Sequence, residues 1–488
     1  MGSIADDLPM QLAATMLDVS NNEKSKPPAT QLRPVSDGFT VTAVRNELVA
    51  AVLPVQEHWL PLSNLDLLLP PVDVGVFFCY HAPPDGGDAA VAGLKKGLAQ
   101  VLVSYYAFAG EVVMSSGGEP ELLCNNRGVE FCVAYAADVE LRELDLYNPD
   151  DSVEGKLVPV KKDGVLAVQV TELRCGGIVV GCSFDHRVAD AYSFNMFLVS
   201  WAESARSRPI STLPSFRRSL LNPRRPLSHN SALDDMYVPI ASLPPPPSTA
   251  APALISRIYH VSSDELIKLQ TLANTSAHSN NNNNNKNRFS KLESFCAHLW
   301  QLVARSTRAR GDKNDVVTKM GIVVDGRSRL GPEMGSYFGN VLSIPYGGKM
   351  ASELVGSSLG QVAGGVHEFL GRGASRDHFL GLVDWVEAHR PEPAISKIYS
   401  TGSADGPAFV VSSGRGLPVG QVDFGWGLPG FGSYHFPWGG TAGYVMPMPS
   451  PKGKGDWVVY MHLFEQQLAL IEREAGSVFR PFAWDYVV

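Results

Sequence analysis

The chain has 488 residues, 44% of them hydrophobic and 18% charged, with a formal net charge of −8. That length exceeds what one hydrophobic core supports, so two large domains are expected, and the negative charge argues against nucleic acid as a partner. No uninterrupted apolar run reaches the roughly 20 residues that span a bilayer, so no membrane partner is expected either.

In chain order, residues 1–35 are polar and lack a basic stretch followed by an apolar one, so they are expected to form a flexible N-terminus on a cytosolic protein. Met1-Gly2 opens a myristoylation pattern, but Asp6 stands where Ser or Thr is required. Residues 36–207 read as the first α/β domain. Strands are expected near 38–44, 74–81, 119–124 and 166–173, with a helix near 90–105. The apolar run 176–184 predicts a further strand, and Phe194, Phe197, Leu198 and Trp201 recur at helical spacing just after it.

Between these two elements stands His186-Arg-Val-Ala-Asp190. A turn at a strand end leaves a side chain accessible, and an imidazole titrates near neutral pH, so His186 can take a proton from a hydroxyl and return it to a leaving group. Asp190 has two possible roles. It could orient His186 at an i to i+4 helical spacing, or it could cap the helix that begins at Ala191. Cys182 and Ser183 precede the histidine but lie in no nucleophile-elbow pattern.

Residues 208–253 carry a density of proline, including Pro244 to Pro247, that excludes helix interiors and central strands. They are expected to be an irregular crossover connector. Residues 254–488 form the second domain. A strand near 258–262 leads to a helix opened by the capping-box pair Ser262 and Glu265, and the run Asn280 to Asn285 ends it in a surface loop. A second capping box, Ser290 and Glu293, opens a helix whose Leu292, Phe295, Cys296, Leu299, Leu302 and Val303 make one apolar stripe. His298 on that helix is assigned no chemistry. Strands follow near 320–324, 410–412 and 457–462, with a closing helix near 464–473.

Six cysteines without CxxC spacing read as reduced core thiols, and no histidine or cysteine pattern suggests a metal. Late in the chain, Asp423-Phe-Gly-Trp-Gly427 opens a segment rich in glycine and aromatics that runs to Trp438.

The two motifs, in this order, resemble those of the BAHD family of plant acyl-CoA-dependent acyltransferases. Tyr105-Tyr106-Ala-Phe-Ala-Gly-Glu111 is similar to the family's YYPLAGR segment, with Glu111 where arginine is usual, and Tyr337-Phe-Gly-Asn340 is similar to its YFGN segment. The resemblance implies an α/β fold of two chloramphenicol-acetyltransferase-like domains with mixed sheets, joined by the crossover, with the active-site channel between them. It implies acyl-CoA as a co-substrate, no permanently bound cofactor, a small-molecule alcohol acceptor, a monomer, and His186 as general base with no covalent acyl-enzyme. Asp190 would then be structural and paired with Arg327 of Asp325-Gly-Arg327. Asp423, Gly425, Trp426 and Gly427 would shape the site from a distance.

Ser290 and Lys291, with Lys286 and Arg288 nearby, are candidates to meet the coenzyme's phosphates, and Arg415, Phe431, Tyr434 and Phe436 are candidates for the acceptor pocket. The segment Ser412-Ser-Gly-Arg-Gly-Leu-Pro418 is similar to the SWxRLP segment of shikimate hydroxycinnamoyltransferases, but Arg415 is displaced by one residue. In extended chain such a shift turns the side chain to the other face, which favours an uncharged phenylpropanoid-like alcohol, as in the coniferyl alcohol branch that residues 183–193 resemble. The alternatives are N-acylation of an amine such as agmatine or a polyamine, which calls for a carboxylate near His186 with Asp185 the first to inspect, and a catalytically silent binding protein of the same fold.

Overall fold

The computed structural model describes residues 38–240, 254–278, 289–308, 315–400, 406–414, 416, 418–438 and 440–486. Two mixed sheets dominate. The first runs in the order Thr42–Val49, Val129–Ala136, Leu166–Leu173, Ile178–Asp185, Asp73–Tyr80 and Phe431–His435. Only the pair Val129–Ala136 and Leu166–Leu173 is parallel. Ile178–Asp185 is buried along its whole length, as its largely apolar sequence requires, with Ser183 and Asp185 buried as well. The helices Gly87–Ser104 and Ala191–Ala205 supply Leu94, Leu98, Val101, Phe194, Phe197 and Trp201 to this core, and Trp201 Nε1 donates to the Leu94 carbonyl at 2.9 Å.

The second sheet runs in the order Tyr346–Met350, Val317–Ile322, Ala408–Val411, Gly443–Pro449, Trp457–Phe464, Leu254–Val261 and Arg480–Pro481. Helix Lys291–Arg308 lays Phe295, Leu299, Leu302 and Val303 into its core, together with Val366 and Phe369 from Leu359–Gly373. The predicted stripe is therefore core, for the reason its spacing gives.

Three expectations need correction. The first strand is Thr42–Val49 rather than 38–44. The described part of the connector is not wholly irregular: it holds a helix, Ala232–Met236, and a strand, Tyr237–Pro239, that pairs with Ala394–Ser396. Residues 241–253, and the asparagine run, lie outside the described residues. Finally, a boundary at residue 254 does not separate the sheets, because Phe431–His435 crosses back to the first sheet and pairs with Asp73–Tyr80, His435 opposite Gly75. A Cβ on Gly75 would sit 2.7 Å from the His435 carbonyl oxygen, so the returning strand needs a glycine there.

Candidate active site

The strand Ile178–Asp185 ends one residue before His186. The His186 N–H donates to the Val72 carbonyl at 2.9 Å, and Asn340 Nδ2 donates to the carbonyls of His186 and Arg187 at 2.9 and 3.2 Å. The turn is thereby held through its own backbone groups, by the Val72 carbonyl and the Asn340 side chain. Its ring lies between Phe184 and Phe436, at centroid distances of 6.5 and 6.4 Å, and its Nδ1 is buried without a hydrogen-bond partner. Burial lowers the His186 pKa, so the ring is neutral at neutral pH and able to accept a proton.

Of the two roles open to Asp190, the geometry matches the cap. Asp190 precedes helix Ala191–Ala205 in extended conformation, and its Oδ1 accepts the Ser193 N–H at 2.9 Å. Its Oδ2 accepts the Val341 N–H at 3.1 Å, and Arg327 donates to both oxygens at 2.7 and 3.1 Å. No bond to His186 is left for it to make. Arg327, 3% exposed, also donates to Ser193 Oγ and the Gly339 carbonyl, both at 2.9 Å. Burial pulls the guanidinium pKa down, but the carboxylates of Asp190 and Asp325 outweigh it and hold the pKa above its usual value.

Asp423 works in the same manner at the other end of that helix. Its Oδ1 accepts the N–H groups of Gly425 and Gly427 at 2.8 and 3.0 Å, closing the loop on itself, and its Oδ2 accepts from Arg206 at 3.1 Å. Gly425 and Gly427 have φ of 113° and 105°, a conformation that disfavours any side chain. Phe424 and Trp426 pack edge-on against Tyr80, each at 5.9 Å.

A cavity of about 400 Å³ opens beside His186. Tyr434, Phe436, Trp438, Tyr237, Tyr399 and Tyr444 make it strongly aromatic, and Ser396 adds a buried hydroxyl without a hydrogen-bond partner. Tyr434 and Phe436 thus line the cavity, but Phe431 does not. It is buried core, packed on Phe77 at 5.6 Å and Phe482 at 4.7 Å, because strand alternation puts it on the opposite face from Tyr434. Arg415 lies outside the described residues, whereas its neighbours Ser412, Ser413 and Gly416 line the wall.

None of residues 423–427 reaches the cavity, and neither do Ser290 and Lys291. Ser290 Oγ accepts the Glu293 N–H at 3.2 Å, and Lys291 Nζ stands 3.4 Å from Ser263 Oγ. Asp185 also faces elsewhere. It is buried against Arg187, which donates at 3.0 and 2.5 Å; burial would raise its pKa, but Arg187 overrides this and leaves it lowered. Two carboxylates stand on the wall: Asp190, whose oxygens are taken up by Ser193, Arg327 and Val341, and Asp325, whose pKa burial raises against the opposing pull of Arg327.

Sequence reasoning did not single out Asn340, Asp66 or Ser193. Asp66, fully buried, accepts both the backbone and the side-chain N–H of Asn340, at 2.6 and 2.9 Å, and so braces the residue that holds the His186 turn. The YFGN segment was the available signal for Asn340; nothing in sequence marks Asp66.

The chain matches the Transferase family over residues 39–477. It is 28% identical over 445 residues to shikimate O-hydroxycinnamoyltransferase of Nicotiana tabacum, an alignment spanning 87% of this chain and 96% of the tobacco one. It is 27% identical over 433 residues to putrescine hydroxycinnamoyltransferase 3 of Oryza sativa subsp. japonica, spanning 84% and 92%. The crystal structure of vinorine synthase shares the fold, with a TM-score of 0.65 at 23% identity over 91% of this chain and 100% of that one.

Proposed function

The chain belongs to the Transferase family, the BAHD acyltransferases that use acyl-CoA as co-substrate, and we propose that it moves a hydroxycinnamoyl or similar acyl group onto the hydroxyl of a phenylpropanoid-like alcohol. The observation that carries this reading is a neutral His186 on the wall of an aromatic cavity of about 400 Å³. Flat aromatic side chains favour a flat aromatic acceptor, and the wall offers hydroxyls rather than a described cation to meet it.

In the proposed reaction, His186 takes the proton of the acceptor hydroxyl as the oxygen attacks the thioester carbonyl. The tetrahedral intermediate collapses with cleavage of the C–S bond, and the imidazolium gives its proton to the departing thiolate. The products are an ester and free coenzyme A, with no acyl-enzyme. Asp190 and Arg327, with the 423–427 loop, hold the geometry of the site and carry no proton in the reaction. Lys291 is the proposed contact for the coenzyme's phosphates, and the protein is proposed to be a cytosolic monomer; no described helix is long and apolar enough to cross a membrane.

One observation favours a second reading, N-acylation of an amine. Asp325 places a carboxylate on the cavity wall, its side chain 41% exposed, where it could meet an ammonium group. A panel of alcohols and amines with p-coumaroyl-CoA, followed by release of free thiol, decides between the two. With the best acceptor, His186→Ala is expected to lower the rate by about 10²–10⁴-fold while the protein stays folded. Undiminished turnover in that variant would overturn His186 as the base.

A further inference from the structure

On the opposite side of strand Phe431–His435 from the acceptor cavity lies a second group of ionisable side chains. Tyr434 and Phe436 face the cavity, so strand alternation sends His435 the other way. There it meets Asp150, on the short helix Pro149–Ser152, and Glu154 just beyond it. One ligand atom from each of the three lies within 4.8 Å of the others. The ring of His435 is 3% exposed, yet neither of its nitrogens has a hydrogen-bond partner; the nearest ionic group, Glu154 Oε2, is 3.7 Å from Nε2, beyond bonding reach. Asp150 Oδ1 is likewise buried and unpartnered, although Oδ2 accepts the Ser256 N–H at 2.6 Å. Leaving three buried polar atoms unsatisfied in one place is costly unless something binds them together.

We propose that Asp150, Glu154 and His435 form a binding site for a divalent transition-metal ion, with Zn²⁺ the best-suited occupant. Two carboxylates balance the charge of a divalent ion, and an imidazole nitrogen favours a transition metal over Ca²⁺ or Mg²⁺, which prefer all-oxygen shells. Bonds of about 2.0–2.2 Å require ligand atoms roughly 3–3.5 Å apart, so the group must contract by about 1 Å. Glu154, with a side chain 37% exposed, has the freedom to do so, and its open side leaves room for a water as the fourth ligand. The ion would tie the returning strand to helix Pro149–Ser152, and through Ser256 to the second sheet, at the seam between the two sheets. Its role is structural, apart from the proton transfer at His186. In sequence the site is invisible, since Asp150 and Glu154 lie close together but His435 arrives from the other end of the chain.

Full-length protein stripped with a chelator and then titrated with Zn²⁺ is the test, read by calorimetry, by metal content after desalting and by thermal melting. One equivalent is expected to bind and to raise the melting midpoint. Glu154→Gln, a partly exposed position that leaves the fold intact, should weaken binding at least tenfold, and His435→Ala should do the same. Cys175→Ser, which removes the exposed thiol, should leave binding unchanged. Failure of the wild type to take up Zn²⁺ would overturn the site, and so would binding that persists in Glu154→Gln and His435→Ala or is lost in Cys175→Ser.

Discussion

Arg327 and Asp190 are each a liability without the other, since their side chains are only 4% and 1% exposed. Two buried charges repay their desolvation only through well-placed hydrogen bonds, and here every oxygen of Asp190 has them. Replacing one partner strands the other. Arg327→Met is therefore expected to cost about 3–5 kcal/mol, measured by urea unfolding, whereas adding Asp190→Asn to it should recover part of that loss. A simple sum of the two single costs in the double variant would show that the pair is not coupled. The pairing was legible from the HRVAD and DGR segments taken with the family resemblance. Asp66 was not, because its task is to satisfy the amides of Asn340, and hydrogen-bond accounting of that kind exists only once distant chain is brought together.

Helix Ala191–Ala205 links the two motifs. Asp190 at its start is clamped by Arg327, and Arg206 at its end clamps Asp423. One rigid element thus has a clamped carboxylate at each end, Asp190 beside the His186 turn and Asp423 in the remote loop. The loop's own conformation depends on its glycines. At Gly427 a Cβ would meet nothing within 4 Å, so only the φ of 105° penalises a side chain. Gly427→Ala should then destabilise by about 1–3 kcal/mol in thermal melts. Since no residue of the loop lines the cavity, turnover by the folded fraction should be nearly unchanged; a large fall in kcat without a fall in melting midpoint would contradict this assignment. Elements with clean periodicity, such as Lys291–Arg308, were legible in the sequence. Leu359–Gly373 was not, because five glycines interrupt it, and it is made helical by a capping box at Ser358 and by burial of Leu359, Val362, Val366 and Phe369.

At the scale of the whole molecule, length and proline density indicated two halves, but the strand that returns to the first sheet could not be read from local pattern. Sheet membership is decided by partners, and the partner of Phe431–His435 is Asp73–Tyr80, from the far end of the chain. The resulting interior encloses several neutral histidines, and this makes the fold sensitive to acid. Burial lowers the pKa of His186, His260, His298, His378 and His462, with His298 and His462 each brought to about 4. In each case the unfolded imidazole accepts a proton near pH 6.5 that the folded one refuses, so stability is full above pH 6.5 and declines as pH falls toward 4. Asp73 and Asp325, whose pKa values burial raises, oppose this only in part. His298 isolates the effect, because its Nε2 is buried without a hydrogen-bond partner and Arg305 adds to the disfavour of its charged form. Between pH 7 and 4.5 it should account for about 2–3 kcal/mol of lost stability. His298→Leu should flatten the profile by that amount in urea titrations at the two pH values, and an unchanged slope would place the acid sensitivity elsewhere.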